Sequence, residues 1–401
     1  MDLKSERLWL DVLSDLLSRS HLFQPDELAD EVGAALSRLG VQTTIYLVDD
    51  EQRALHAIPQ RDRTAPEPIG LDGSVPGRVF CLIQTMPAGN SGGWWVPVIN
   101  GTDRLGVINF TFTDGVDAHD DVTRQRCETL AGLVGHLITV TAPKGDSLFQ
   151  VRRSRPMSTE AELLSQTLPP LTASCERLAL SAILEPCYDI GGDGFDYAID
   201  GPMARMLVLD AVGHGLKAGT ICTVAMAAIR AARRAGHSLC VQAGAASAAI
   251  RDQFTSGSFA TAVLTELNMD TGLLRYVNAG HPAPLLLRSG HVVRELTAGR
   301  RPPLGIDDAS IEVGEETIEP GDRLLLYTDG ITEARNPTGE MFGLQRLIDH
   351  TERHAGAGLP IAETLRRLAH AVAAHHDGPA ADDATLLLAA WSPAAAQRTT
   401  P

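Results

Sequence analysis

Four groups of aspartates, each beside an apolar run, are the residues of this sequence most suited to chemistry. They lie within the segments 191–196, 207–215, 324–330 and 382–388. An aspartate where a buried strand stops is costly to desolvate, and carboxylates brought together repel one another unless a cation neutralises them. The pattern therefore predicts a site for hard divalent metal ions.

Such a site suggests a particular reaction. Magnesium and manganese prefer oxygen ligands, and each ion takes one or two carboxylates and keeps several waters. Two ions a few ångströms apart can share a water, lower its pKa and neutralise the oxygens of a phosphoryl group. We therefore expect hydrolysis of a phosphate ester.

Each aspartate also has a structural interpretation when it is taken alone. Asp193 could be a turn residue in a glycine-rich loop, Asp329 part of a hairpin turn, and Asp382 the start of a strand. Asp210 is the hardest to explain in this way, because apolar residues lead straight into it and glycines follow. The joint occurrence of all four favours the metal site.

The composition excludes some classes of function. The chain has 401 residues, of which 44% are hydrophobic, enough for two or three domains with their own cores. Its formal net charge of -16 comes from 50 acidic and 34 basic residues. This charge argues against a nucleic-acid partner, because phosphate backbones are bound by basic patches.

The sequence also predicts a cytoplasmic protein without membrane contact. Residues 1–19 carry charge throughout and lack the apolar stretch of a signal peptide. The longest apolar run, 218–229, is shorter than the roughly 20 residues that a membrane helix needs. The six cysteines are widely spaced and form no Cys-x-x-Cys pair, so we expect reduced thiols.

The elements of the first 140 residues predict an antiparallel sheet flanked by helices. Asn100-Gly101 is a strong turn signal between two apolar runs. Helical periodicity and strand composition predict helices over 6–17, 25–39 and 121–140 and strands over 43–48, 94–99 and 105–110.

The rest of the chain contains many strands with few helices between them. This order favours an α+β fold over a doubly wound parallel sheet. We predict helical stretches over 216–234, 243–254 and 344–375, and strands over 179–184, 194–199, 203–209, 260–268, 273–277, 284–287, 323–327 and 385–390.

Six motifs between Gly191 and Leu386 resemble, in order, the SpoIIE-type branch of the metal-dependent serine/threonine protein phosphatases. They are Gly-Gly-Asp-x-Phe-Asp, Asp-x-x-Gly-His-Gly-x-x-Ala, Ala-Gly-His-Pro, Tyr-Thr-Asp-Gly-Ile-Thr-Glu-Ala-Arg-Asn, Phe-Gly-x-x-Arg-Leu and Asp-Asp-x-Thr-Leu. The resemblance implies an α-β-β-α sandwich of two stacked antiparallel sheets over 177–393, followed by a tail over 394–401. It also implies two Mn²⁺ or Mg²⁺ ions in a cleft at one edge.

The resemblance implies roles for the residues around the second motif. Asp210 would bridge both ions, with the carbonyl of Ala211 as a further ligand, and Asp193 would serve the second ion directly or through water. Imidazole chemistry, and not the resemblance, suggests that His214 could donate a proton to the leaving oxygen, and a loop-stabilising histidine is at least as good an interpretation. His281, in Ala-Gly-His-Pro, is expected to be structural.

Asp329 and Asp382 would complete the first ion. Asp383 is the weaker of the adjacent pair, because only one of two neighbouring residues on an extended segment can point into the cleft. Gly194 stands where this branch often has a larger residue such as tryptophan, which we expect to alter the fit of the substrate. No arginine clearly matches the one that larger relatives use for the substrate phosphate.

Residues 20–142 resemble a GAF sensor domain. The likeness rests on a strand ending in Val-Asp-Asp, a Gly-x-x-x-Gly-Arg-Val turn at 73–79 and a Gly-Val-Ile-Asn-Phe strand. It implies a GAF-like α/β domain over 1–143 that takes a small effector, with homodimerisation a plausible addition. The segment 144–176 is predicted to be a linker and a connecting helix that begins at Ser158 and carries regulation to the second domain.

The resemblance implies an enzyme that removes phosphate from serine or threonine of an anti-sigma factor antagonist in a partner-switching pathway. One alternative is a non-catalytic sensor scaffold that binds its partner through a degenerate metal site. Another is a diguanylate cyclase, because Gly-Gly-Asp-Gly-Phe is similar to that signature. The cyclase interpretation leaves the clusters at Asp210, Asp329 and Asp382 unexplained.

Overall fold

The chain divides between Arg155 and Pro156 into an N-terminal and a C-terminal unit, each with its own hydrophobic core. The structure is a computed structural model that describes residues 3–61, 63–89, 92–113, 120–185, 187–189, 191–306, 312–376 and 382–393. The predicted tail 394–401 lies outside these residues. All six cysteines are free thiols, as the sequence predicts.

The N-terminal unit is built on one antiparallel sheet. Its strands are β1 Val41–Val48, β2 Ala54–Ala57, β3 Ile69–Gly70, β4 Met86–Pro87, β5 Gly93–Asn100 and β6 Asp103–Phe112. Their order is β3-β2-β1-β6-β5-β4, and β5 and β6 form the predicted hairpin at Asn100-Gly101.

Helices cover both faces of this sheet. They are α1 Leu3–Arg19, α2 Leu28–Ser37, α3 Val75–Leu82, α4 Asp121–Thr141 and α5 Ser147–Arg152. The apolar sides of α1, α2 and α4 share one core with the sheet, whereas α3 packs with a smaller cluster on the opposite face. The helix-flanked antiparallel sheet expected from the sequence is therefore present.

The C-terminal unit contains two sheets. Its strands are β7 Thr172–Cys175, β8 Leu178–Glu185, β9 Asp193–Asp200, β10 Met203–Ala211, β11 Ala260–Asn268, β12 Leu273–Ala279, β13 Leu285–Arg288, β14 His291–Glu295, β15 Arg300–Arg301, β16 Gly314–Thr317, β17 Arg323–Tyr327 and β18 Ala384–Trp391. The first sheet has the order β15-β12-β11-β10-β9, with β16 also on β12, and the second has the order β14-β13-β17-β18-β8-β7. Every pairing between these strands is antiparallel except that of β12 with β15.

The two sheets stack between layers of helices. The helices are α6 Thr159–Ser165, α7 Gly215–Arg234, α8 Leu239–Gln253, α9 Asp329–Thr332, α10 Gly343–Gly356 and α11 Ile361–His375. The inner faces of both sheets pack against each other. The helices α7 and α8 cover the outer side of the first sheet. The helix α11, with α10 beside it, covers the outer side of the second sheet, which completes the α-β-β-α sandwich.

One predicted helical stretch, 344–375, is wrong as a single element. The chain leaves α10 through Gly358, whose φ of +69° belongs to the left-handed region, and Pro360 then precedes α11. Proline fits the start of a helix but not its interior, because it lacks the N–H that the helix needs. The stretch therefore forms two helices that pack against each other.

The helix α7 deserves comparison with a membrane span. Among the described residues, α7 is the one helix whose length and apolar composition would allow it to cross a membrane. Its apolar side chains, including Ile221, Ala225 and Ile229, are buried in the core of the C-terminal unit. This burial is typical of a core helix in a globular domain.

The predicted linker 144–176 contains regular structure. Its first part forms α5 of the N-terminal unit, and its later part forms α6 and β7 of the C-terminal unit. The hydroxyl oxygen of Ser158 accepts a hydrogen bond from the Ala161 N–H at 3.2 Å, as expected for a helix cap. Leu164 anchors α6 in the C-terminal core, so the predicted connecting helix is a packed part of that unit.

Candidate metal centre

The four acidic clusters meet at one edge of the sandwich. Asp193 begins β9 and lies directly opposite Asp210, near the end of β10. On the second sheet, Asp329 follows β17 as the first residue of α9, and Asp382 and Asp383 precede β18. Because the two sheets are stacked, strand ends that are up to about 190 residues apart in sequence become neighbours.

Asp210 lies at the electrostatic centre of this edge. Burial and the neighbouring carboxylates of Asp329, Asp382 and Asp383 raise its pKa to about 7. A raised pKa means that the negative charge is unfavourable here without a compensating cation. The arrangement therefore fits the binding of a divalent ion.

Asp193 is held from the opposite sheet. Its side chain is buried, and its Oδ2 accepts hydrogen bonds from the hydroxyls of Thr328 and Thr385, both at 2.7 Å. Burial raises the pKa of Asp193, and repulsion from Asp210 and Asp383 adds to this effect, while the two hydroxyls oppose it. Asp193 therefore connects the two sheets at the floor of the site.

Asp383 is anchored by main-chain amides of the glycine-rich turn before β9. Its Oδ2 accepts hydrogen bonds from the N–H groups of Gly191 at 2.7 Å and Gly192 at 2.6 Å. Asp382 is more exposed than Asp383. Its pKa is raised mainly by partial burial, and the charges of Asp329, Asp383 and Glu333 raise it further. The charges of both Asp382 and Asp383 raise the pKa of Asp210. Alternation along an extended segment, in contrast, predicts that only one of the two points into the cleft.

Glu333 is a sixth carboxylate at this edge, beside the five aspartates predicted from the sequence. Its N–H donates to the carbonyl of Asp329 at 2.7 Å, so it lies one helical turn beyond that residue. Its charge contributes to the raised pKa of Asp382. The sequence could have indicated this residue, because Glu333 follows Asp329 by four positions and residues four apart lie on the same face of a helix.

Asp196 belongs to the other face of β9. It is buried and forms ion pairs of 2.8 Å with both Arg230 and Arg233 of α7. These two guanidinium groups compensate its charge. Asp196 therefore connects α7 to β9 and does not belong to the acidic edge.

Gly194 also faces α7 and not the carboxylates. A β-carbon at this position would lie 2.6 Å from the sulfur of Cys222 and within 3.4 Å of Met226. The structure thus gives Gly194 a packing role, and its expected effect on the fit of the substrate stays a prediction. Glycine is needed because α7 packs closely on β9.

We expect Gly194→Ala to lower the free energy of unfolding by about 1–3 kcal/mol, because the added methyl group overpacks this contact. Thermal unfolding monitored by circular dichroism measures the effect. Combining it with Cys222→Ala, which removes the opposing sulfur, should recover part of the loss. Equal melting temperatures for Gly194→Ala and the wild type would contradict this packing argument.

The two histidines of the motifs occupy different environments. His214 is exposed at the N-cap of α7, and its side chain makes no capping hydrogen bond. His281 is buried, and its Nδ1 lies 2.7 Å from the hydroxyl of Thr261, the residue opposite Asp210 on β11. Burial lowers the pKa of His281 to about 3, so it is neutral and supports the predicted structural role.

The carboxylates of this edge suit Mn²⁺ or Mg²⁺, which prefer oxygen ligands, and Ala211 is the last residue of β10 beside them. Within the described ranges, no group of three or more His, Cys, Asp or Glu side chains is arranged to hold an ion. In two of the carboxylates, those of Asp193 and Asp383, Oδ2 is engaged by threonine hydroxyls or by glycine amides. Their Oδ1 atoms would therefore be the ones to face an ion.

Comparisons with known proteins concern this unit. Residues 201–392 match the family model described as Stage II sporulation protein E (SpoIIE). The chain is 26% identical over 208 residues to phosphoserine phosphatase RsbP of Bacillus subtilis, covering 47% of each chain. It is 25% identical over 178 residues to phosphoserine phosphatase RsbU of Bacillus subtilis, covering 43% of this chain and 53% of the relative. The chain thus spans about half the length of these two curated relatives.

Other similarities cover comparable parts of the chain. Protein IcfG of Synechocystis is 32% identical over 131 residues, which are 32% of this chain and 20% of the relative. Among solved structures, the RsbU and RsbW domains of a Mycobacterium tuberculosis protein are similar with 26% identity and a TM-score of 0.47, covering 54% of this chain and 62% of that one. The SiaA-PP2C domain of Pseudomonas aeruginosa is similar with 25% identity and a TM-score of 0.46, covering 57% of this chain and 88% of that one.

Proposed function

We propose that the protein is a metal-dependent protein serine/threonine phosphatase of the SpoIIE type, because residues 201–392 match that family model. The observation that carries the proposal is the convergence of Asp329, Asp382 and Asp383 from the second sheet on Asp210 of the first, whose pKa is raised to about 7 by burial and by these carboxylates. Such a concentration of buried negative charge is costly unless it binds cations.

We propose that the ions are held by the residues that the sequence predicts. Asp210 would bridge two ions with the Ala211 carbonyl beside it, Asp329 and Asp382 would complete the first ion, and Asp193 would serve the second. Asp383 would contribute mainly by fixing the turn before β9, because its Oδ2 is engaged by two amides. When bound, the ions would lower the pKa of a water and neutralise phosphoryl oxygens.

The exposed position of His214 is compatible with proton donation to a leaving serine or threonine oxygen. It begins α7 four residues after Asp210, at the rim of the acidic edge. Histidine is the side chain most often used to transfer protons in general acid–base catalysis. We propose it as the general acid of the reaction.

We propose that the substrate is a phosphorylated anti-sigma factor antagonist in the cytoplasm. The relatives RsbP and RsbU are phosphoserine phosphatases by name, which supports a phosphoserine substrate. The net charge of -16 supports a protein substrate over a nucleic acid. The acidic edge would then recognise the phosphate chiefly through its ions.

The proposal is tested by phosphate release from a phosphoserine-containing antagonist protein and from a generic phosphomonoester. We expect turnover with Mn²⁺ or Mg²⁺ and none after a chelator has removed the ions. Turnover that survives the chelator would contradict a metal-dependent mechanism. Stable binding of the phosphoprotein without any phosphate release would favour the non-catalytic scaffold.

We further propose that the N-terminal unit is a GAF-like domain that regulates the phosphatase through a small effector. Two cavities support this idea, one of about 160 Å³ and one of about 270 Å³. Residues of α5 line both of them, with Leu148 common to the two. A ligand in either cavity would contact the last helix before the chain enters the C-terminal unit.

This regulation is tested by comparing the full chain with residues 157–401 under the same ionic conditions. We expect different rates, because the short chain lacks the N-terminal unit and keeps α6. Identical rates, with and without candidate effectors, would reject the regulatory role while leaving the phosphatase assignment intact.

A further inference from the structure

Two buried hydroxyls reach across the sandwich to one carboxylate oxygen. Thr328 follows β17 and Thr385 lies on β18, and both side chains have 0% exposure. Each hydroxyl donates to Oδ2 of Asp193 on the first sheet, at 2.7 Å. These bonds directly join the two sheets at the acidic edge.

The direction of each bond is set by its surroundings. The hydroxyl oxygen of Thr328 accepts a hydrogen bond from the N–H of Thr385 at 2.8 Å, which leaves its proton for Asp193. With ions bound, the carboxylate of Asp193 would be ionised and could only accept, so both threonines would donate to it. Hydrogen bonds to a charged acceptor are stronger than neutral ones, so the oxygen would be held firmly in that state.

Apolar residues would be the default at these two positions. Leu326 and Leu387 point to the same inner face and belong to the shared core. A hydroxyl buried among such side chains is unfavourable unless it forms a hydrogen bond. The two threonines therefore serve a purpose other than filling the core.

We propose that Thr328 and Thr385 are positioning residues that fix Asp193 relative to the aspartates of both sheets and so prepare the edge for metal ions. This inference rests on the proposed function. Thr328 immediately precedes Asp329, Thr385 follows Asp383 by two residues, and Asp193 lies opposite Asp210. Both bonds go to Oδ2, so neither threonine engages Oδ1 of Asp193.

Thr385→Val is the cleanest test, because valine has the same shape and the main-chain bond to Thr328 remains. We expect Mn²⁺ affinity, measured by titration calorimetry of the full chain, to fall by about 10-fold or more, as for other residues that orient metal ligands. Thr385→Ser keeps the hydroxyl and should retain nearly wild-type affinity. A wild-type affinity in Thr385→Val would overturn the proposal.

A matched control separates positioning from general loss of stability. Thr351 on α10 is also buried and donates its hydroxyl to the carbonyl of Leu347 at 2.7 Å. Thr351→Val should change the melting temperature of the protein without changing its Mn²⁺ affinity. A similar fall in affinity for Thr351→Val and Thr385→Val would also overturn the proposal.

A double-mutant cycle identifies the group through which Thr385 acts. In an Asp193→Asn background, Thr385→Val should have little further effect on Mn²⁺ affinity, because their shared bond is already altered. Additive losses would show that Thr385 acts elsewhere and would overturn this inference alone. A wild-type protein that binds no Mn²⁺ would overturn both the inference and the proposed function.

Discussion

Asp210→Asn is expected to reduce kcat/KM for Mn²⁺-dependent phosphoserine hydrolysis by about a thousandfold or more. The substitution keeps the shape of the side chain but removes the charge that three other carboxylates surround. Ions at such a site supply several kcal/mol of transition-state stabilisation, and each 1.36 kcal/mol corresponds to about a factor of ten in rate. Initial rates of phosphate release at saturating Mn²⁺ measure the effect.

Asp196→Asn is a suitable control for this experiment. It makes the same chemical change at the same sheet, but Asp196 pairs with Arg230 and Arg233 on the opposite face. We expect a lower melting temperature, because two guanidinium groups lose their buried partner. The rate of the folded protein should stay within a few-fold of the wild type. Equal losses in Asp210→Asn and Asp196→Asn would contradict the assignment of the site.

The second large effect concerns pH. Without added ions, the pKa of Asp210 is about 7, well above the value of roughly 3.9 expected in an unfolded chain. The folded protein therefore holds a proton that the unfolded chain releases, and stability falls as the pH rises through this window. Burial and repulsion also raise the pKa of Asp193 and Asp382, so they act in the same direction.

Divalent ions should reverse this loss, because they compete with protons for the same carboxylates. We expect the increase in melting temperature on adding Mn²⁺ to be small near pH 5.5 and several degrees larger near pH 8. In chelator, the stability of Asp210→Asn relative to the wild type should increase from pH 5 to pH 8. Thermal unfolding across this range provides the measurement, and an ion effect independent of pH would contradict the argument.

The sequence predicted the architecture because its signals are local. Alternating or continuous apolar runs marked eight strands of the C-terminal unit, and all eight are present, within a few residues of their predicted bounds. Strands β7, β14, β15 and β16 were missed. They are two to five residues long and lie at the edges of the sheets, where few side chains are buried and the pattern is weak.

The candidate site was also largely predictable. An aspartate that ends or begins a buried strand is conspicuous, so Asp193, Asp210, Asp329 and the pair at Asp382 could be identified as a set. The resemblance of their motifs to a phosphatase family then supplied the expectation that they meet. Their convergence on one edge agrees with that expectation.

The tertiary structure decided which groups each carboxylate contacts. Gly194 and Asp196 turned out to face α7, while Thr328 and Thr385 face Asp193 from the other sheet. The sequence by itself determined the strands, the helices and the positions of the charged residues along them, because these depend on near neighbours. The contacts of Asp193 with the threonines of the second sheet join residues more than 100 positions apart, and they depend on how the sheets stack, which no local pattern records.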